Sequence, residues 1–252
     1  RSLQVRTLLP LNSSIKGYDL AGEGRILYSR PTYYRGFYVY NDLFEVDLAT
    51  GAEERLTWGA RAKEPSLGPR GELAFTVHGR GVTELGLLEA DAGPCHGGKT
   101  PSNDGPCSTA RYLYRSQGRV EAAEPAWSPD GERLAFSRWQ PGGQRDIVIL
   151  DRATGALHAV TDDRAQDINP AWTPDGAHLL FVSDRSGISN VYAYSLATDR
   201  VVQVTNVIAG AFQPTPSPDG AQLAFVGFTS AEYDLFLMEM PPLDTQIGRA
   251  HV

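Results

Sequence analysis

Three stretches of the chain are near copies of one another, and their spacing restricts the fold more than any other feature. They are Pro125-Ala126-Trp127-Ser128-Pro129-Asp130-Gly131, Pro170-Ala171-Trp172-Thr173-Pro174-Asp175-Gly176 and Pro214-Thr215-Pro216-Ser217-Pro218-Asp219-Gly220. Their last glycines are 45 and 44 residues apart. A degraded copy, Pro65-Ser66-Leu67-Gly68-Pro69-Arg70-Gly71, lies 60 residues before Gly131, and a Gly/Pro-rich insert at about 93–107 fills the excess. A fixed period of this size marks a repeat architecture, in which each copy is one supersecondary unit.

The units share an internal order. In the Ser/Thr-Pro-Asp-Gly turn, Ser or Thr suits the first position of a type I turn, Pro pre-sets φ at the second and Gly suits the fourth. An apolar strand follows: Leu73-Ala74-Phe75, Leu134-Ala135-Phe136, Leu179-Leu180-Phe181 and Leu223-Ala224-Phe225, with Ile26-Leu27-Tyr28 as an earlier copy. A polar loop then ends in Asp42, Glu84, Asp146, Asn190 or Asp234 before the next strand, such as Ile147-Val148-Ile149-Leu150. Thr50-Gly51, Thr154-Gly155 and Thr198-Asp199 make the next turn, and Leu56-Thr57, Val160-Thr161 and Val204-Thr205 end the unit. Four strands of about five residues and four turns make a period near 44, the length of a four-stranded propeller blade. No stretch sustains a 3.6-residue period, so helical repeats are excluded. The sequence predicts an all-β fold, a β-propeller of four-stranded antiparallel blades.

These motifs resemble the WD40-like repeat of TolB-type propellers, over about residues 17–240. The resemblance implies a periplasmic location and a role in binding or positioning other envelope proteins. The stretch from Tyr233 to Asp244 is similar to the end of propellers that precede an outer-membrane barrel in some bacterial proteins.

The propeller is expected over residues 1–244, with blades at about 13–62, 63–122, 123–167, 168–211 and 212–244. The last unit stops after its third strand. Residues 2–8 (Ser-Leu-Gln-Val-Arg-Thr-Leu) read as a lone outer strand. They either complete the last blade and close a five-bladed ring, leaving no open edge, or finish a lost blade of a six-bladed parent. Residues 245–252 read as a linker or non-native tail, because Ile247-Gly248-Arg249-Ala250-His251-Val252 matches a common sequencing adapter read in frame.

Strand order divides the surface into two faces. The Ser-Pro-Asp-Gly and Thr-Gly turns share one, where the insert at 92–107 is also expected. The loops between second and third strands and between blades share the other. That loop face carries the aromatic run Tyr33, Tyr34, Phe37, Tyr38 and Tyr40 with Arg35 among them, a composition suited to a binding hot spot. The same run would equally serve as blade-rim packing. Glu64, Glu124, Asn169 and Gln213, each just ahead of the repeat Pro, are expected at the central channel. They suit either a ligand or cation at its mouth or simple solvation.

Cys95 and Cys107 bracket the insert and are expected to form a disulfide, which would imply an oxidising compartment. Gly93-Pro94-Cys95-His96-Gly97-Gly98-Lys99-Thr100 has Walker A spacing, but Pro101 and Pro106 follow where such a loop needs a helix. His78, His96, His158, His178 and His251 lack metal-ligand spacing, and there is no G-x-S-x-G elbow. No metal, cofactor or catalytic residue is therefore assigned. A net charge of −7 with scattered Lys and Arg argues against a nucleic-acid partner, and no apolar stretch is long enough to span a bilayer as a helix.

The function expected is a non-catalytic protein-interaction or scaffold propeller of the bacterial cell envelope. Its partners would be other envelope proteins or domains of the same parent chain. The alternative is a substrate-gating propeller of a prolyl-oligopeptidase-like serine peptidase whose catalytic domain lies outside this chain.

Overall fold

A computed structural model describes residues 17–22, 24–79, 81–97, 106–228 and 232–244. Residues 2–8 and 245–252, on which two of the expectations rest, lie outside the described residues. The regular structure is all-β and forms a β-propeller. Blade 1 holds β1 (Tyr18–Leu20), β2 (Arg25–Tyr34), β3 (Tyr38–Asp47) and β4 (Glu53–Arg55), with the short β5 (Thr57–Trp58) just beyond. Blade 2 holds β6 (Ala62–Leu67), β7 (Leu73–Gly79), β8 (Val82–Leu88) and β10 (Arg111–Tyr114), with β9 (Cys95–His96) in the insert. Blade 3 comprises β11 (Glu121–Trp127), β12 (Arg133–Trp139), β13 (Arg145–Asp151) and β14 (Leu157–Ala159). Blade 4 comprises β15 (Asp167–Trp172), β16 (His178–Ser183), β17 (Asn190–Ser195) and β18 (Arg200–Gln203). Among the described residues blade 5 has three strands, β19 (Ala211–Pro216), β20 (Gln222–Phe228) and β21 (Tyr233–Glu239). Every blade is an antiparallel meander in chain order, and the first strand of each contacts the first strand of the next.

The repeat motif closes its turn through its own side chains. Gly131 N–H donates to the Ser128 carbonyl at 2.9 Å, Ser128 Oγ donates to Asp130 Oδ1 at 2.5 Å, and Glu132 N–H donates to the same carboxylate at 3.0 Å. Thr173 with Asp175 and Ser217 with Asp219 repeat the arrangement. The degraded copy lacks both partners, and Glu72 fills the gap. A Cβ at Gly68 would stand 2.5 Å from the Glu72 carboxyl carbon, so the missing side chain makes room for that buried carboxylate. Arg152 of blade 3 pairs with it.

The Leu/Val-Thr ending has an equally local cause. Thr57 Oγ1 accepts from Leu43 N–H and donates to Asp42 Oδ1, each at 2.9 Å, pinning the chain just beyond the fourth strand to the middle of the long third strand. Thr205 makes the same two bonds with Val191 and Asn190. Asp42 also accepts from the N–H groups of Gly59 and Ala60 at 3.0 Å, so its burial leaves no orphaned charge.

The core is a series of seams between neighbouring blades. Ala74, Leu85 and Leu87 of blade 2 pack against Trp127, Leu134, Phe136, Val148 and Leu150 of blade 3. Phe75, Phe136 and Phe181 occupy the same place in successive second strands and are fully buried. Each such ring contributes roughly 1.5–3 kcal/mol through burial.

The insert departs from its expected position on the turn face. Its β9 pairs in parallel with β5, where the chain leaves blade 1 on the opposite side. Cys95 and Cys107 form a disulfide, with Cα atoms 5.4 Å apart, buried among Leu27, Leu43, Ala60, Ala62, Phe75 and Val77. Apolar burial thus draws the insert across the seam of blades 1 and 2 from the turn side to the loop side.

Candidate functional site on the loop face

Near the axis the first strands share one irregularity. Pairing with the second strand shifts register between Lys63 and Ser66, Ala123 and Ala126, Ile168 and Ala171, and Phe212 and Thr215. Within each bulge Glu64, Glu124, Asn169 and Gln213 adopt left-handed φ values of 49, 56, 52 and 51°. Such a backbone costs about 1–3 kcal/mol per residue and persists where surrounding contacts over-determine it. The Pro that follows has no N–H to leave unpaired, which suits it to a bulge.

The contacts that hold these four residues run from blade to blade. Glu124 N–H donates to Glu64 Oε2 at 2.9 Å. Asn169 donates twice to the Glu124 carboxylate, through its N–H and its Nδ2, each at 2.8 Å. Gln213 N–H donates to Asn169 Oδ1 at 3.3 Å. The structure therefore joins all four channel residues into one ladder. Burial pushes the Glu124 carboxyl above its usual range, the Asn169 N–H works against that shift, and neighbouring Glu64 adds to it. Gly17 takes the corresponding place in blade 1; a Cβ there would lie 2.6 Å from Glu64 Cα, so the ladder starts at Glu64.

The aromatic run forms the tip of the β2–β3 hairpin. Each of these strands has ten residues, against six or seven for the central strands of the other blades. A tight turn with positive φ at Arg35 and Gly36 closes it, matching the right-handed twist of the strands. Six expected residues divide there into two groups. Tyr34 and Tyr40 are half-buried: the Tyr34 hydroxyl donates to the Gly97 carbonyl of the insert at 2.6 Å, and its ring lies 5.6 Å from that of Tyr40. Tyr33, Arg35, Phe37 and Tyr38 are exposed, Phe37 at 89% and Tyr33 at 78%. The insert thus braces the hairpin from behind.

Between hairpin and axis lie two adjoining pockets. One, of about 190 Å³, is walled by Lys63, Glu64, His78, Glu121, Trp139 and Arg145. The other, of about 440 Å³, is walled by Tyr40, Asn41, Arg61, Lys63 and His78, among others. Arg61 and Lys63 were not singled out from the sequence, and His78 was weighed there only as a metal ligand. The one signal for them is that Lys63 directly precedes the bulge residue Glu64. Among the described residues no group of three or more His, Cys, Asp or Glu side chains is placed to hold a metal ion.

The repeats and blades agree with a comparison at the level of family. The TolB beta propeller domain matches residues 108–247. The chain belongs to the TolB β-propeller domain family. The TolB propeller of Acinetobacter baumannii superposes with a TM-score of 0.69 at 21% identity, covering 89% of this chain and 51% of that one. The chain thus spans about half the length of that protein. A putative TolB from Agrobacterium tumefaciens gives 0.73 at 19% identity, covering 93% and 80%. A puromycin-hydrolyzing peptidase of Mycobacterium tuberculosis gives 0.59 at 15% identity, covering 89% and 45%. At these identities the likeness establishes the fold. No curated protein matches the chain.

Proposed function

We propose that this chain is a non-catalytic protein-interaction propeller of the bacterial cell envelope, acting through its loop face. The observation that carries the reading is the β2–β3 hairpin. It is longer than its counterparts, closed by a tight turn, braced by Tyr34 on the insert, and tipped with exposed Tyr33, Phe37 and Tyr38. Rigid aromatic anchors beside a guanidinium such as Arg35 are the composition of an interface hot spot. Glu64, Glu124, Asn169 and Gln213 line the channel beside it and hold neighbouring blades in register, so a partner seated there meets a fixed surface. TolB family membership and the disulfide support an oxidising, extracytoplasmic setting, which we take to be the periplasm. Partners would be other envelope proteins or other domains of the same polypeptide.

One comparison favours a second reading. Peptidases are also among the similar folds, and the chain covers 45% of the Mycobacterium tuberculosis enzyme. A propeller of this kind would then limit access to a catalytic domain elsewhere in the polypeptide. Sequencing the gene on both sides separates the two. A secretion signal upstream, with no serine-hydrolase domain, is the result expected for the scaffold. A G-x-S-x-G elbow downstream would overturn it in favour of the peptidase.

A further inference from the structure

The two loop-face pockets share Lys63 and His78, so they form one trough from the hairpin of blade 1, across blade 2, to Trp139 of blade 3. Three cations stand along it. Arg61 lies 4.4 Å from the centre of the Tyr40 ring and donates to the Tyr40 hydroxyl at 2.9 Å. Arg145 lies 4.5 Å from the centre of the Trp139 ring. Lys63 sits between them. Elsewhere in the chain several partly buried cations meet carboxylates, Arg55 with Asp42, Arg152 with Glu72 and Arg185 with Asp167, although Arg138 does not. Among the described residues Arg61, Lys63 and Arg145 have no such partner within ion-pair distance.

The acids nearest the trough are engaged with hydrogen-bond donors. Glu64 accepts from Glu124 N–H, and Glu121 Oε2 lies 3.4 Å from Thr83 Oγ1. Glu124, which Arg145 faces at longer range, accepts from Asn169. In a chain of net charge −7 the trough thus holds three cations without an ion-pair partner, Arg61, Lys63 and Arg145, which outnumber the two carboxylates in its wall, Glu64 and Glu121, between Tyr40 and Trp139. The cations are strung along the trough and do not converge on one point, so they suit a ligand whose negative charges are spaced along an extended body.

We propose that the trough receives an acidic, extended segment of a partner protein. Its carboxylates would lie against Arg61, Lys63 and Arg145, and its apolar side chains against Tyr40 and Trp139. The proposal rests on the protein-interaction reading above and adds the chemistry of the partner.

Fluorescence anisotropy of the purified protein tests it, using a short labelled peptide that alternates Glu and Phe. The same peptide with Lys in place of Glu and a short single-stranded oligonucleotide serve as competing probes. The Glu peptide is expected to bind, to weaken as salt rises, and to lose roughly tenfold in affinity when Lys63→Glu is combined with Arg145→Glu. Lys63→Gln with Arg145→Gln should give a smaller loss in the same direction and serves if the charge-reversed pair does not fold. Arg200→Glu, on the turn face, should leave binding unchanged. Equal binding of the Lys peptide, tighter binding of the oligonucleotide, no binding of the Glu peptide, or binding indifferent to Lys63 and Arg145 would each overturn the proposal. If the Glu peptide fails while Phe37 still cross-links to a partner in cells, the acidic-segment proposal falls and the interaction reading survives.

Discussion

The two faces of this propeller are built from the same repeat and treat polar groups in opposite ways. On the turn face the repeat aspartates use their own neighbours: Asp130, Asp175 and Asp219 accept from the Ser or Thr two residues earlier. Asp47 and Asp151 likewise accept from Thr50 and Thr154 in the Thr-Gly turns. On the loop face blade 1 extends its hairpin, the insert arrives from across the seam, and three cations make no ion pair, two of them, Arg61 and Arg145, beside aromatic rings. The turn-face aspartates are satisfied by their immediate neighbours, whereas on the loop face Arg61, Lys63 and Arg145 are left without an ion-pair partner. Function in a repeat protein is therefore best sought where one copy breaks the pattern without a local reason to do so.

Replacing Arg152 should break the turn face most severely. Arg152→Ala leaves the buried Glu72 without its cation, and chemical denaturation is expected to show a loss of about 3 kcal/mol. Loop-face binding by the folded fraction should be unaffected. Cutting the disulfide probes the element that spans both faces. Cys95→Ala with Cys107→Ala is expected to cost about 2–3 kcal/mol, seen as a lower melting temperature that reductant no longer changes. Ser128→Ala removes one self-contained turn and should cost about 1 kcal/mol by urea titration.

Acidity separates the faces by sign. The Asp130, Asp175 and Asp219 carboxyls are held below their usual range, chiefly by the neighbouring Ser or Thr hydroxyl. The stability they contribute is present above the unfolded value of 3.8 and is lost as pH falls through their lower folded values. Glu124 is shifted the other way, so its folded form takes up a proton before its unfolded form. Its ionisation costs stability at neutral pH, and that cost disappears as pH falls through the raised value towards 4.5. In thermal melts the difference between Glu124→Gln and the natural chain should therefore move in the variant's favour as pH rises from about 4.5 to neutrality, on top of a pH-independent loss because Gln can accept only one of the two Asn169 hydrogen bonds. The smallest stability effect is expected at the hairpin. Tyr33→Ser and Phe37→Ser expose nothing new and should change stability by less than about 0.5 kcal/mol in the same melts.

How much of this was legible in the sequence depended on whether a residue's role was local. The turn residues, the Leu-Ala-Phe strands and the Leu/Val-Thr endings carry their reasons within a few positions, so the blades could be read directly. The channel position of Glu64, Glu124, Asn169 and Gln213 followed from the repeat, but their ladder did not, because each bond reaches 44 to 60 residues along the chain. The insert was misplaced for a related reason. Its attachment points lie on the turn side, while the apolar seam that receives its cysteines is assembled from blades 1 and 2. The trough was missed because Arg61, Lys63 and Arg145 are unremarkable singly and acquire meaning only beside Tyr40 and Trp139.

The most direct measurement is photo-cross-linking in the source cells, with benzoylphenylalanine placed at Phe37 on the loop face or at Ala153, an exposed residue of the turn face. A discrete adduct with another protein from Phe37, and none from Ala153, is the result predicted. Adducts from Ala153 alone, or from neither position, would contradict the assignment of function to the loop face.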